Sequence, residues 1–249
     1  MFGIKRKLGK IKSFIGNIIW KMKETFLYKK LLHYVRANNN RFKRVCSYPI
    51  LNEKYMAPHF DRHYFYHTAW AARVLANIKP EKHIDISSTI NFMSHISAFI
   101  PTEYYEYNVP EIELNNLKID RCDLLSLPFA DNSVFSLSCM HVIEHIGLGR
   151  YGDTFDLDAD LKAVKELKRV LAKNGHLLFV VPISSDPRIE FNAHRIYSYK
   201  MVLEMFHDLN LEEFYLIPDS GKTIRYAKAE DCNNQKYACG CFHFIKHKD

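Results

Sequence analysis

The sequence has no long apolar run. Near the N-terminus the longest such stretch, from Phe14 to Trp20, is interrupted by Gly16 and Asn17 and falls far short of the roughly 18 residues that span a bilayer. No apolar segment ending in small residues follows the charged start, so we expect no secretory signal peptide. We therefore expect a cytoplasmic protein that does not cross a membrane and whose six cysteines are reduced thiols.

The sequence also lacks the paired C-x-x-C spacing that marks many metal sites. Residues 239–243 (CGCFH) place two cysteines and a histidine on one face of a strand, and Cys232 lies just upstream. These four side chains are either metal ligands or buried residues of an interior strand. We favour the second interpretation, because free cysteine is among the residues most often buried.

Residues 141–145 (HVIEH) match the H-x-x-E-H pattern of inverted zinc peptidases. That pattern requires both histidines on one face of a continuous helix. Here it starts at the end of an apolar strand, and Gly147 and Gly149 follow soon after. We therefore predict no bound metal ion.

Positive charge is concentrated at the N-terminus. The first 44 residues hold 13 Lys and Arg and one acid, Glu24, so the other 22 basic and 27 acidic residues fall in 45–249. The first segment carries +12 and the remainder −5, which together give the total of +7. An isolated basic arm suits a membrane surface or an anionic partner, whereas a nucleic-acid enzyme spreads its positive charge around the cleft.

Apolar residues in the basic segment recur mostly at steps of three and four: Leu8, Ile11, Ile15, Ile18, Ile19, Met22 and Phe26. Lysines and arginines lie between them, so the spacing predicts an amphipathic helix with a cationic face. Such a helix can lie among lipid headgroups, where each basic residue contributes about 1 kcal/mol. The alternative is that it packs on the rest of the chain or on a second copy. We assign any membrane contact to residues 1–30.

Alternating elements predict the fold. A polar break and irregular sequence at 40–58 predict a domain boundary, and we divide the chain into an arm, 1–44, and a domain, 45–249. In the domain, strands and helices alternate after a helix at 64–78, which predicts an α/β fold with a doubly wound, mostly parallel sheet. We expect seven strands, the last two pairing antiparallel, at 82–87, 102–107, 117–121, 134–140, 176–182, 211–217 and 239–246, and helices at 90–100, 157–172 and 198–208.

Three acids mark the expected ligand site. Open α/β sheets bind ligands at the carboxyl ends of strands, beside the point where strand order reverses. Glu106 lies 21 residues after Asp85, which is the spacing of an acid that accepts hydrogen bonds from ribose hydroxyls. Asp123, after the third strand, is placed to accept from an adenine amine. We predict that these acids converge on adenosine and a cationic sulfonium.

Residues 123–183 resemble the second half of a class I S-adenosylmethionine-dependent methyltransferase. The shared features are the segment LPFADNS at 127–133, the Glu144-His145 pair, the helix end ELKRVL at 166–171, and Asn174-Gly175 before a strand. More narrowly, residues 143–153 and 191–198 resemble a family of unknown function that is placed among methyltransferases and associated with bacterial surface-polysaccharide genes. The resemblance spans about residues 60–245 and implies a Rossmann-like fold, S-adenosylmethionine as cofactor and a glycan acceptor.

The turn after the first strand departs from that superfamily. Its glycine-rich sequence is replaced here by Ser87-Ser88-Thr89, so the backbone approaches a ligand at some steric cost. The serine hydroxyls can bond the carboxylate end of the cofactor, and we count Ser87, Ser88, Leu124 and His141 among the cofactor contacts. A chain that had lost cofactor binding would show the same turn, so a non-catalytic methyltransferase-like scaffold in glycan assembly is the alternative.

The acceptor is expected at the loop 147–153, just past the fourth strand. Methyl transfer needs the acceptor oxygen aligned with the methyl carbon and its proton removed, and an imidazole titrates near neutral pH. The candidate side chains are His145 and His194 as bases, Glu144 and Asp153 as partners that orient a base or bind sugar hydroxyls, and Arg150, Tyr151 and Arg195 as substrate ligands.

The sequence therefore predicts an enzyme that methylates a sugar hydroxyl of a surface glycan or its lipid-linked precursor. We expect it in the cytoplasm or at the inner face of the plasma membrane. A nucleic-acid methyltransferase is disfavoured by the acidic domain and by the absence of an Asn/Asp-Pro-Pro-aromatic tetrapeptide that would hold a flipped base. Nothing in the sequence indicates the oligomeric state.

Overall fold

The computed structural model describes residues 2–38, 44, 46–47 and 60–247. The chain divides into two compact units, Met1–Phe60 and Asp61–Asp249. Helix α1 spans Phe2–Asn38 in the first unit, so the basic segment is helical as predicted. Most of the predicted boundary region lies outside the described residues. Within the described ranges, no helix has the length and apolar content needed to cross a membrane.

Helices and strands alternate through the second unit. Its α-helices are α2 (Arg62–Ile78), α3 (Ile90–Ile96), α4 (Ala159–Val170) and α5 (Tyr199–Met205). Its strands are β1 (His83–Ile86), β2 (Thr102–Glu106), β3 (Leu117–Arg121), β4 (Val134–Met140), β5 (Leu171–Ile183), β6 (Arg188–Glu190), β7 (His194–Ile196), β8 (Asn210–Ile217), β9 (Ile224–Arg225) and β10 (Ala238–Ile245).

The main sheet has the order β3-β2-β1-β4-β5-β10-β8-β9. Strands β1 to β5 pair in parallel, whereas β10 runs antiparallel between β5 and β8. The seven predicted strands are all present and the last two pair antiparallel, as expected. The short β9 at the edge and the separate β6-β7 hairpin were not predicted. Strand order reverses between β1 and β4, which fixes where a ligand binds in such a sheet.

Helices cover both faces of the sheet. On one face α4 and α5 bury residues such as Leu167 and Val202 in a core that includes Phe179 and Phe242. On the other face α2 and α3 bury Trp70, Met93 and their neighbours against β4, β5 and β10. Because both faces are covered, the central strands are nearly continuous apolar runs. The fold is therefore doubly wound α/β, as predicted.

Candidate functional site

A cavity of about 520 Å³ opens at the carboxyl ends of β1 to β4. This is the place where the strand order reverses. Its volume falls within the range of small-molecule sites, about 300–1,000 Å³. The predicted site residues that line it are Ser87, Glu106, Asp123, Leu124, His141, His145, Tyr151 and Asp153.

Glu106 ends β2 and is held by three donors. Its Oε1 accepts hydrogen bonds from the Tyr107 amide at 2.8 Å and the Ser87 hydroxyl at 3.3 Å, and its Oε2 accepts one from the Tyr104 hydroxyl at 2.9 Å. These bonds fix the carboxylate at the cavity wall. Since each carboxylate oxygen can accept two hydrogen bonds, Oε2 keeps a lone pair for a ligand hydroxyl.

Asp123 lies on the next strand end, past β3. Its Oδ1 accepts a hydrogen bond from the Leu125 amide at 2.9 Å, and its carbonyl accepts one from the Ser126 amide at 3.0 Å. This turn holds the Asp123 carboxylate at the cavity. The neighbouring Leu124 side chain adds an apolar wall, so one turn offers both an acceptor and an apolar surface.

Asp85 does not face the cavity. It is fully buried, and its carboxylate accepts hydrogen bonds from the Ser88 amide at 3.0 Å, the Ser88 hydroxyl at 2.6 Å and the Ser138 hydroxyl. The Ser88 oxygen in turn accepts one from the Met140 amide at 2.9 Å. Burial raises the pKa of Asp85 to about 6. Asp85 and Ser88 tie the β1 turn to β4 beneath the cavity, which corrects the prediction that they contact the cofactor.

Ser87 occupies the position where the superfamily has glycine. Its φ of 55° lies in the left-handed region, where a Cβ costs about 1–2 kcal/mol. The Ser87 hydroxyl turns onto the end of β2, 3.2 Å from the Tyr105 carbonyl and 3.3 Å from Glu106. Thr89 precedes α3 as its N-cap. Side chains of Ser87 or Thr89 that filled the cavity would favour the scaffold alternative, but the cavity that Ser87 lines is open.

His141 follows β4 and is almost completely buried. Its Nδ1 lies 2.8 Å from Glu144 Oε1, and its Nε2 lies 3.4 Å from Cys239 Sγ. Burial by itself lowers the pKa of His141, but Cys239 and Glu144 outweigh it and raise that pKa above its ordinary value of 6.5. Residues 141–147 form turns and bends with no helix, so the arrangement of an inverted zinc peptidase is absent from this segment.

His145 is the side chain best placed to accept a proton in the cavity. Its Nδ1 lies 2.7 Å from the Ala193 carbonyl oxygen, and because a carbonyl only accepts, we assign the ring proton to Nδ1. The Nη1 of Arg150 lies farther from that nitrogen, at 3.2 Å, and donates to the same carbonyl at 3.0 Å. Nε2 is then a bare acceptor, 3.9 Å from Glu144 Oε1.

Asp153 shapes the acceptor loop. Its carboxylate accepts hydrogen bonds from the amides of Gly147 at 2.6 Å, Tyr151 at 3.1 Å and Gly149 at 3.4 Å. Burial alone would raise the pKa of Asp153, but these backbone donors outweigh it and lower the pKa. The Asp153 carboxylate therefore binds the backbone of its own loop, whereas the sequence predicts that it orients a base or binds sugar hydroxyls.

Arg195 and His194 are two further predicted residues that do not line the cavity. Arg195 is buried, and its guanidinium donates to the carbonyls of Ile146 at 2.6 Å and Leu157 at 3.0 Å, so it joins the two ends of the segment between β4 and α4 and cannot clamp a substrate. His194 packs edge-on against His145, with ring centroids 6.0 Å apart, and burial lowers its pKa. Of the two predicted bases, only His145 lines the cavity.

Three residues beside the cavity were not predicted. The His63 ring, on α2, stacks on His141 at 5.6 Å and on Tyr237 at 5.2 Å, and His67 meets His141 edge-on at 5.1 Å. The spacing of His63 and His67, one turn apart on a helix, was the available signal. No local pattern shows which strand end that helix faces.

The cysteines and the histidine between Cys232 and His243 lie in three environments. Cys239 lies beside His141, whereas His243 pairs with His176 at 2.9 Å between ring nitrogens. Cys232 belongs to the core on the other face of the sheet. The four residues that the sequence offered as alternative metal ligands therefore do not form one cluster.

Residues 93–225, more than half of the chain, match the model of a family described as Caenorhabditis protein of unknown function, DUF268. The chain belongs to this family. The description names no activity and no connection with surface polysaccharides, so that part of the expected resemblance stays a prediction. A comparison with curated proteins gave no match.

Solved structures share the fold. The YcgJ protein from Bacillus subtilis gives a TM-score of 0.54 at 16% identity, over 74% of this chain and 100% of that one. The 1,6-didemethyltoxoflavin-N1-methyltransferase of Burkholderia thailandensis, with 1,6-didemethyltoxoflavin and S-adenosylhomocysteine bound, gives 0.53 at 10% identity, over 78% and 93%. A candidate methyltransferase from Bacillus halodurans gives 0.51 at 15% identity, over 73% and 99%. The chain has the Rossmann-like methyltransferase fold.

Proposed function

We propose that the protein is an S-adenosylmethionine-dependent methyltransferase that acts on a sugar hydroxyl. The observation that carries the proposal is the convergence of Glu106 and Asp123, presented by two adjacent strand ends to one open cavity that His145 also lines. The methyltransferases that share the fold support it, and one of them holds S-adenosylhomocysteine.

The cavity residues suit the parts of the cofactor. Glu106 Oε2 suits a ribose hydroxyl, Asp123 suits the adenine amine, and Leu124 suits the flat face of the base. The two carboxylates also favour a nearby cationic sulfonium, because opposite charges attract strongly where water is partly excluded. When bound, S-adenosylmethionine supplies a methyl group on an electron-poor sulfur. The open space beside Ser87 supports this function over a scaffold that has lost its ligand.

In this proposal His145 removes the acceptor proton. The Ala193 carbonyl keeps the ring proton on Nδ1, so Nε2 is the basic nitrogen. The Glu144 carboxylate, 3.9 Å from Nε2, stabilises the imidazolium that forms. A positioned general base of this kind contributes about 10²- to 10⁴-fold to a rate.

Exposed aromatic residues near the cavity support a sugar acceptor. Tyr151 lines the cavity, Phe155 lies between two lining residues, and Phe155 contacts Phe191 with ring centroids 6.3 Å apart. All three are more than half exposed, and exposed aromatic clusters mark ligand surfaces. Arg150, over the Tyr151 ring at 5.1 Å, offers a cation for the phosphate of a lipid-linked precursor. We further propose that the protein works in the cytoplasm and contacts the membrane through residues 1–30.

Calorimetric titration with S-adenosylmethionine tests whether the protein binds the proposed cofactor. Glu106→Gln keeps the shape of the side chain and removes its charge, and a hydrogen bond to a charged group contributes about 1.5–3 kcal/mol, so we expect binding about 10- to 100-fold weaker. Glu103→Gln is the control, because Glu103 lies on the same strand but bonds Lys82 and Tyr105. We expect that control to bind like the wild type. No heat from the wild type at millimolar ligand would overturn the proposal.

A further inference from the structure

Three side chains that commonly bind metals meet beside the cavity. His63 lies on α2, His141 follows β4 and Cys239 lies on β10, and one ligand atom of each is within 4.8 Å of the other two. His141 also lines the cavity, so the cluster is reachable from it. Two imidazole nitrogens and one sulfur are a donor set that suits zinc.

The contacts of His141 have the geometry of a zinc ligand. Its Nε2 lies 3.4 Å from Cys239 Sγ, close to the separation of about 3.6 Å between nitrogen and sulfur on one tetrahedral zinc, given bonds of about 2.05 and 2.3 Å. Its other nitrogen lies 2.8 Å from Glu144 Oε1. Zinc-bound histidines almost always donate that second N–H to a carboxylate or carbonyl, so Glu144 directs Nε2 towards the ion.

Unpaired polar atoms gather around the same cluster. In the part of the chain that the structure describes, the buried side-chain atoms without a hydrogen-bond partner are His67 Nε2, Glu144 Oε2 and His194 Nε2, and the last of these lies 3.4 Å from Glu190 Oε2, so the first two carry the argument. The first two residues contact His141 directly, and the His194 ring lies 5.3 Å from Tyr237, which stacks on His63. Burying polar atoms without partners is unfavourable, so their grouping points to a bound species that supplies partners.

We propose that His63, His141 and Cys239 bind a zinc ion, with water at the fourth position. Three protein ligands and one open position distinguish catalytic zinc from the closed structural kind. Cys241 Sγ, 3.8 Å from Cys239 Sγ, is the side chain that would close the site if it also coordinated. The site needs no cofactor, so its test is independent of methyl transfer.

Titration of the metal-free full chain with Co²⁺ alone, after removal of any histidine tag, tests the site. Cobalt(II) takes zinc positions and is visible by absorption. We expect one Co²⁺ per chain, a thiolate charge-transfer band in the near ultraviolet and the visible d–d bands of a four-coordinate ion, all lost when Zn²⁺ is added. No charge-transfer band at saturating Co²⁺ would overturn the proposal.

Variants test the individual ligands. Cys239→Ser should lose the charge-transfer band, and His63→Ala, at a half-buried position, should weaken binding at least about tenfold. Glu144→Gln should weaken binding about 10- to 100-fold and keep the band. Cys139→Ser is the matched control, since Cys139 is an equally buried thiol in the core on the opposite face of the sheet.

Two further cysteine variants show which results would contradict the proposed zinc site. Zn²⁺ should raise the melting temperature of the wild type, and Cys139→Ser and Cys241→Ser should both keep that rise and the charge-transfer band. A band that survives Cys239→Ser would show that another thiol binds the metal, and a band lost in Cys241→Ser would rule out an open fourth position. Circular dichroism shows which variants are folded. If Cys239→Ser does not fold, His63→Ala decides the test.

Discussion

His83 lies inside the sheet between two serine hydroxyls. Its Nδ1 is 2.8 Å from Ser136 Oγ and its Nε2 is 2.9 Å from Ser138 Oγ. The ring is fully buried, and burial lowers the pKa of His83 from 6.5 to about 3. The folded protein therefore keeps this ring neutral over a pH range in which the unfolded chain binds a proton.

His83 should make the protein less stable in mild acid. A lowered folded-state pKa gives stability that is present above pH 6.5 and is lost as the pH falls towards 3, by about 2 kcal/mol at about pH 5. In urea unfolding, His83→Gln should lose about 2 kcal/mol less than the wild type between about pH 8 and pH 5. Asp85, whose raised pKa acts in the opposite sense, is present in both proteins, and Gln at position 83 can still bond the Ser138 hydroxyl that lies between the two side chains.

The matched control for that experiment is His95→Gln, because His95 is exposed on α3. We expect it to lose as much stability as the wild type over the same range. Equal losses in His83→Gln and the wild type would mean that His83 takes up its proton without unfolding.

The loop between β4 and α4 depends on a close approach at Gly147. Its φ is 75°, and a Cβ there would lie 2.1 Å from the Asp156 carbonyl oxygen and 2.6 Å from Ala159 Cβ. Gly152, in the same loop, has a similar φ of 80°, but a Cβ there would meet no atom within 4 Å. Both positions favour glycine for their backbone, but only Gly147 also needs the space.

Substitutions at Gly147 and Gly152 distinguish the cost of backbone strain from the cost of a steric clash. Gly147→Ala and Gly152→Ala both place a Cβ in the left-handed region, and only the first overpacks the loop, which costs about 1–3 kcal/mol. We expect Gly147→Ala to lower the free energy of unfolding in urea by about that much more than Gly152→Ala does. Equal losses would show that the loop shifts away from α4 without cost.

The main strands and helices were predictable from the sequence because strands buried on both faces are nearly continuous apolar runs. Strands β1 to β4, β8 and β10 begin and end within about one residue of their predicted limits. β5 begins at Leu171, five residues before its predicted start, because α4 already ends at Val170. β6, β7 and β9 have only two or three residues each, too few for an alternating pattern.

The site was predictable only where chain order determines it. Glu106 and Asp123 line the cavity because they follow adjacent parallel strands. Asp85 points inwards because a hydroxyl from β4, Ser138, meets it from 53 residues away. His63 reaches His141 from a helix nearly 80 residues upstream. Contacts between residues so far apart along the chain depend on tertiary packing, which the spacing of residues within one segment does not reveal.

At the scale of the whole molecule, charge is divided between two segments of opposite sign. The first 44 residues carry +12 and the rest −5. Among the described side chains of α1, Ile18, Met22 and Phe26 follow one another at steps of four and are all exposed. An anionic bilayer attracts the basic segment and repels the acidic one, so lipid charge should decide whether the chain binds.

We expect the full chain to sediment with phosphatidylserine-containing vesicles and not with pure phosphatidylcholine. Replacing Lys21, Lys23, Lys29 and Lys30 with Gln should weaken that binding at least about tenfold, since each basic residue at an anionic surface contributes about 1 kcal/mol, and added salt should weaken wild-type binding. The control replaces exposed lysines of the domain, Lys165, Lys173, Lys200 and Lys222, and should bind like the wild type. Failure to sediment with either kind of vesicle would instead favour packing of the arm on protein.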